Sequence, residues 1–466
     1  MSMPPKAWPR SAMAAALVML AAGLIGAGCH RATASSRPAH HQQPESRDCD
    51  PRFMQILNDA EAPDPSENPT RRAHRERAMQ DTHRTARKRA EDWLQLAEYQ
   101  AASLPGAPAM ALLSFPQATT SISRRSYLYD NALALLWYAW KGQYSRARAL
   151  AQTLRYLQLE DGSWGYSFHL DNPQDHHARY IRSGAVAWAA HALAYFGTQF
   201  GEPAALLSAQ RAARFLESMR LGGSGPTRGL VSAGRGLPST LMEAPPSPKL
   251  GFAVSEHQFD AHIVLARFFP MQAERLAEQM LDVLWLKRPG RFAVAAGAER
   301  VDTRRALDAA GAWGALWLLG AGHPQLAAQS YRYSRETFAS SALLVGHAKH
   351  GPVTLKLQGF RPYEDDIDGY DVDAAADHIF VEGAMGMGIA AHRLGDPETA
   401  QKMLRTGIAL SCTGAPGIPY STVQLPGFST HAAAAPTLWF LFLEREMATG
   451  RDAPIFSAST TPSLTF

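Results

Sequence analysis

The chain has 466 residues, a net charge of +4 and 46% apolar residues. Such a length and apolar content support a sizeable core in one large domain or two. A small net charge, with no long basic run interleaved with aromatics, excludes nucleic acid as an expected partner. Cysteine is scarce (Cys29, Cys49 and Cys412), and no CxxC or Cys/His cluster marks a zinc site.

Residues 1–29 read as an export signal. Lys6 and Arg10 make a basic start, residues 11–28 are uncharged and largely apolar, and Gly26-Ala27-Gly28 abuts Cys29. Small residues before a Cys resemble the lipobox of bacterial lipoproteins, which implies cleavage and lipidation at Cys29. The match departs at Gly26, where Leu is usual, although Leu24 and Ile25 lie just upstream. An uncleaved anchor is the alternative, since about 18 apolar residues barely span a bilayer. His30, rather than Asp, follows the Cys. By the same resemblance this implies the outer membrane, facing the periplasm or the cell surface. Residues 30–69 are rich in Ser, Pro, His, Gln and charge and are expected to form a flexible tether. With Cys29 lipidated, Cys49 and Cys412 either pair in an oxidising compartment or remain thiols.

Beyond the tether almost no run alternates with period two. Apolar residues recur at three and four. A charged helix is expected over 71–102. Helix pairs follow at 129–140 and 143–158, 182–196 and 203–220, 255–268 and 270–286, and 303–319 and 324–339. A long loop with an acidic run (364–377) leads to a helix over 377–396 and its partner over 398–410, and a last helix spans 431–447. Short turns join the members of a pair and long loops join one pair to the next. The Ser/Thr/Pro-rich tail, 451–466, is expected to be disordered.

The helix DHIFVEGAMGMGIAAHRLGD is narrow, with Gly383, Gly386 and Gly388 in its interior. Each costs roughly 1 kcal/mol relative to Ala, which makes sense only where neighbouring backbones come close. The helices after long loops are rich in Ala, Gly and Trp, and their partners carry Arg, Gln and Glu on one face. The first kind must be buried and the second can cover it. Six inner and six outer helices over 70–450 close into an all-α (α/α)6 toroid. An open solenoid is the alternative, but it does not call for narrow inner helices.

In a toroid the amino-terminal turns of the inner helices face one cavity. Those turns hold Tyr129 and Asp130, Arg182 and Ser183, Glu256, His257 and Asp260, Asp308, Glu382, and Thr430 and His431. A carboxylate in a first turn also complements the helix dipole. Five of them at one rim point instead to a polar site.

The order of DGSWG, SEHQFDAH, ALDAAGAWGAL and IFVEGAMGMG along residues 125–447 resembles the six-hairpin glycosidase superfamily. The resemblance implies a poly- or oligosaccharide in the cavity and, often, hydrolysis by two carboxylates. One protonated carboxyl donates to the leaving oxygen, while the other, ionised, activates water or attacks the sugar. Glu382 and Glu256 are candidates for the acid, and Asp130, Asp260 and Asp308 for the base. The acidic loop before Glu382 should raise its pKa, the helix terminus should lower it, and burial decides. Trp164, Trp188, Trp313, Tyr129, Tyr420 and His257 are candidates for sugar contact; each aromatic can equally be core. A non-catalytic lipoprotein that binds or guides a polysaccharide is the alternative function.

Other motifs are weaker. Gln158 to Trp164 fits Q-x-x-x-G-x-W, similar to a terpene cyclase motif, but reads equally as a turn with Trp164 as a plug. Asp371, Asp373, Asp377 and Glu382 follow an EF-hand-like count without its turn Gly, so calcium is a minor expectation and no other cofactor is expected. His257 and His262 are five apart and share a helix face poorly as metal ligands. No phosphate loop or G-x-S-x-G elbow occurs.

Overall fold

The computed structural model describes residues 51–59, 68–102, 110–119, 121–170, 180–236, 249–348, 351–366, 370–373, 375, 377–412 and 417–456. The signal region, Cys29 and Cys49 lie outside these residues. Cys412 is buried. No described helix is long and apolar enough to cross a membrane.

The helices are α1 (Pro51–Asp59), α2 (Pro69–Ala102), α3 (Leu128–Trp140), α4 (Tyr144–Leu157), α5 (Ser183–Phe200), α6 (Pro203–Ser218), α7 (Ser255–Phe268), α8 (Pro270–Val283), α9 (a π-turn Asp308–Ala312 running into Trp313–Gly320), α10 (Pro324–Thr337), α11 (Val381–Arg393), α12 (Pro397–Leu410) and α13 (Ala434–Thr449). Helices α3, α5, α7, α9, α11 and α13 pack in that order, and α13 returns to α3, closing an inner ring. Helices α4, α6, α8, α10, α12 and α2 cover it. The fold is the expected (α/α)6 toroid.

Composition sorts the layers. Every residue of α3 except Tyr129 is buried, whereas α4 buries only the stripe Ala147, Leu150, Ala151, Thr153 and Leu154. The turns inside pairs repeat one device. Gly201, Gly322 and Gly395 take positive φ, and Pro203, Pro324 and Pro397 open the next helix. A left-handed Gly ends one helix, and Pro in the first turn starts the next without losing a hydrogen bond. The narrowness of α11 has the expected cause. A Cβ on Gly388 would lie 2.7 Å from Leu443 Cδ2 and 2.9 Å from Met403 Cβ, between an inner and an outer neighbour.

Three expectations need correction. The loop expected between α10 and α11 contains an antiparallel hairpin, Ala339–Ala348 with Gly351–Phe360, in register from Ala339 opposite Phe360 to Ala348 opposite Gly351. Its second strand alternates Val353, Leu355 and Leu357 with Thr354, Lys356 and Gln358, and the Leu pair is buried with Ala342 and Leu344. The stretch read as a tether includes α1, whose Phe53, Met54 and Leu57 are buried and whose Asn58 donates to the Thr354 carbonyl at 3.2 Å. Polar composition masked three apolar residues on one helix face.

Finally, the tail is packed as far as Phe456. Arg393 donates to the carbonyls of Ile455 (2.7 Å) and Ala453 (3.0 Å) and pairs with Glu446 at 2.8 Å. His191 Nε2 lies 2.8 Å from the Pro454 carbonyl. Phe456 meets Trp188 at 5.6 Å between ring centroids. The segment lies beside the carboxyl-terminal ends of α9, α11 and α13, at Gly320, Arg393 and Glu446.

Candidate active site

Five of the six inner helices begin from extended backbone. Tyr127, Arg182, Val254, Phe380 and Ala433 precede α3, α5, α7, α11 and α13, and none makes a side-chain cap bond. The first-turn side chains are thereby left to face inward. They line a cavity of about 100 Å³ together with aromatic rings.

All five expected carboxyls reach it: Asp130, Glu256, Asp260, Asp308 and Glu382. So do Tyr129, Trp188, His257, Trp313 and Tyr420. Asp308 is aimed inward from the π-turn that opens α9; such turns recur at functional sites.

Trp164 does not belong to the cavity. It is fully buried, and its indole N–H donates to the Leu154 carbonyl at 2.6 Å. The Q-x-x-x-G-x-W stretch is a latch between outer helices. Gln158 Nε2 donates to the Gly162 and Ser208 carbonyls, both at 2.9 Å. Gly162 takes φ +90°, where a Cβ would meet the Arg211 carbonyl at 2.5 Å. His431 also stands apart from the lining, paired with Ser429 Oγ at 2.8 Å, and its helix starts later than expected, at Ala434.

The calcium count is not realised. Asp371, Asp373 and Asp377 are exposed, while Glu382 is buried in the ring. Among the described residues no group of three or more His, Cys, Asp or Glu could hold a metal. His262 turns away from His257 and meets Trp317 edge-on at 5.3 Å.

Glu382 is held by a relay. Trp439 Nε1 donates to Tyr129 Oη at 2.7 Å, and Tyr129 Oη donates to Glu382 Oε1 at 2.7 Å. With Oε1 accepting, a proton on Glu382 belongs on Oε2. Burial pushes the Glu382 pKa up to about 8, against the Tyr129 hydrogen bond and with the charges of Asp130 and Glu256. These like charges come from other inner helices, not from the acidic loop as the sequence suggests. Burial raises Glu256 to about 8 and Asp130 to about 7, the latter opposed by a hydrogen bond from Ser114. Asp260 and Asp308 are driven well above the usual range by burial and then by Glu256, with Glu382 and Asp260 also acting on Asp308. Burial thus holds all five carboxyls above the usual range, so that protonated carboxyls persist towards neutral pH.

The same cavity wall also carries a cation. Arg182 is 1% exposed, and its guanidinium stacks on Tyr180 at 3.8 Å. Burial lowers its pKa to about 9. Burial and the Arg182 charge hold His257 down at about 3, so its imidazole is neutral. Gly184 makes room here, because a Cβ on it would press on the His257 ring and lie 2.8 Å from Asp260 Oδ2. Sequence reasoning placed Arg182 on the rim but gave it no task. It missed Phe115, Tyr127 and Tyr166 in the lining, and Trp439 behind Tyr129. The loop residues carry no periodic signal, and Trp439 looks like any core residue of α13.

The cavity end and the helix order correspond to a known architecture. No protein-family model and no curated protein matches the sequence. Solved structures do match in fold. A D-mannose isomerase superposes with a TM-score of 0.54 at 10% identity, over 79% of this chain and 97% of that one. A cellobiose 2-epimerase from Bacillus thermoamylovorans B4167 gives 0.52 at 10% identity, over 78% and 100%. A family 76 glycoside hydrolase from a bovine Bacteroides thetaiotaomicron strain gives 0.53 at 8% identity, over 78% of each chain. These likenesses show the (α/α)6 toroid fold.

Proposed function

We propose that this protein is a carbohydrate-active enzyme that hydrolyses glycosidic bonds of an oligo- or polysaccharide. The observation that carries the reading is the Trp439–Tyr129–Glu382 relay, which presents a carboxyl whose pKa is raised by burial to a cavity that a second one, Asp130, also lines. Glu382 Oε2 gives its proton to the leaving oxygen as the bond from that oxygen to the anomeric carbon breaks. Asp130 takes a proton from the attacking water, or bonds to the anomeric carbon until water displaces it. Trp188 and Trp313 offer apolar faces to a sugar ring. The fold neighbours named above as acting on sugars favour a carbohydrate ligand. Fold alone does not choose the reaction; the paired carboxyls favour hydrolysis.

The proposal includes a lipid anchor at Cys29, which would hold the toroid at the outer membrane, facing the periplasm or the cell surface. Its support is the run of small residues before that Cys.

The test is release of reducing ends from a panel of polysaccharides by wild type, Glu382→Gln and Asp130→Asn. Cleavage by wild type that falls by several orders of magnitude in Glu382→Gln is the expected result. A polysaccharide bound but never cut would favour a non-catalytic carrier. Interconversion of free sugars without cleavage would favour an isomerase or epimerase.

A further inference from the structure

The cavity holds five carboxyls and one guanidinium. Glu256, Asp260, Asp308 and Glu382 influence one another across it. Arg182 stands at the start of α5, the helix between those of Asp130 and Asp260, and its charge acts on Tyr166 and His257. Its Nε, Nη1 and Nη2 are all buried and have no hydrogen-bond partner among the described residues. A guanidinium removed from water and left unpaired is costly. A protein that keeps one in the wall of its cavity is expected to pair it with a ligand.

We infer that the cavity takes a sugar bearing a carboxylate, a uronate, and that Arg182 is the residue that recognises it. The Tyr180 ring covers one face of the guanidinium, so its donors are offered at the edge, in one plane. A planar carboxylate matches that fork with two parallel hydrogen bonds. Arg182 is the only Lys or Arg among the lining residues, and His257 is neutral, so Arg182 is the one cation in the lining that a carboxylate can meet. The carboxylate at Arg182 would leave the rest of the ring against Trp188 and the carboxyls of the lining. This inference deepens the hydrolase reading and rests on it for the sugar, but not for the anion.

The experiment is calorimetric titration of the full-length protein with D-glucuronate, D-galacturonate and D-mannuronate, each against its neutral hexose. It is repeated with Arg182→Met and Arg182→Lys. At least one uronate should bind about 10- to 100-fold more tightly than its neutral counterpart, the range for hydrogen bonds to a charged group. Arg182→Met should abolish the preference, and Arg182→Lys should keep part of it. Arg182→Met should also melt no lower than wild type, because it removes an unpaired buried charge. Three uronates that bind no better than the neutral sugars would overturn the inference. A preference that survives Arg182→Met, or a large fall in its melting temperature, would do the same. Tighter binding of a hexose 6-sulfate would overturn the carboxylate assignment.

The two readings fail separately. Uronate binding with no cleavage of an acidic polysaccharide leaves Arg182 its role and removes hydrolysis. Equal cleavage of a polysaccharide and its carboxyl-reduced form leaves hydrolysis and removes the uronate.

Discussion

Glu382→Gln tests the electrostatics of the cavity through stability as well as turnover. Gln keeps an oxygen to accept from Tyr129 and places an NH₂ where the protonated acid has its O–H, so the variant imitates the protonated wild type. In the unfolded chain Glu382 titrates near its ordinary value of 4.5, and in the fold near about 8. Between those values the native state binds more protons than the unfolded state. The contribution to stability is therefore intact below pH 4.5 and is lost as pH rises towards 8. At about 1.4 kcal/mol per pH unit, the loss accumulated by pH 7 is about 3 kcal/mol. Gln does not titrate and escapes this loss. Urea unfolding at several pH values from 4 to 8 should give similar stabilities near pH 4 and an advantage for the variant that grows to about 3 kcal/mol at pH 7. Parallel pH profiles would refute the reasoning. So would a variant less stable at pH 7 by roughly 0.5–1 kcal/mol, the value for an exposed carboxylate that merely complements the helix dipole.

Truncation after Arg451 should destabilise the protein by about 3 kcal/mol or more, because Arg393 and Glu446 lose partners inside the ring; a thermal melt unchanged by the cut would show that the segment does not hold the ring. Gly388→Ala should cost about 1–3 kcal/mol by overpacking, although the same change on an exposed helix would gain roughly 1 kcal/mol; chemical denaturation gives the sign, and a gain would mean that α11 is not enclosed. Cys29→Ser should leave an unprocessed precursor in cell fractions, and mature-size, membrane-bound protein from this variant would remove the lipid anchor from the proposal.

Much of the architecture was legible in the sequence. A helix buried all round must be small or apolar on every face, so α3 and α11 declared themselves inner, and the Arg- and Gln-bearing stripes of α4 and α12 declared themselves outer. The same logic put five carboxyls from the amino-terminal ends of inner helices, and Arg182, at one rim. Local patterns failed where a segment was judged by average polarity rather than by its contacts. The hairpin at 339–360, the buried face of α1 and the packed segment up to Phe456 are of this kind. What only the tertiary structure decided is which rim groups meet and in what medium. Trp188 and Trp313 line the cavity and Trp164 does not, because helix rotation and loop path are set by packing, not by spacing along the chain. Asp130 and Glu256 act on Glu382, and Arg182 is left unpaired, because closing the ring brings distant helices together. Burial is the largest cause of every pKa shift among these groups. Water is excluded from a carboxyl by the whole fold, so its acidity cannot be read from the residues beside it in the chain.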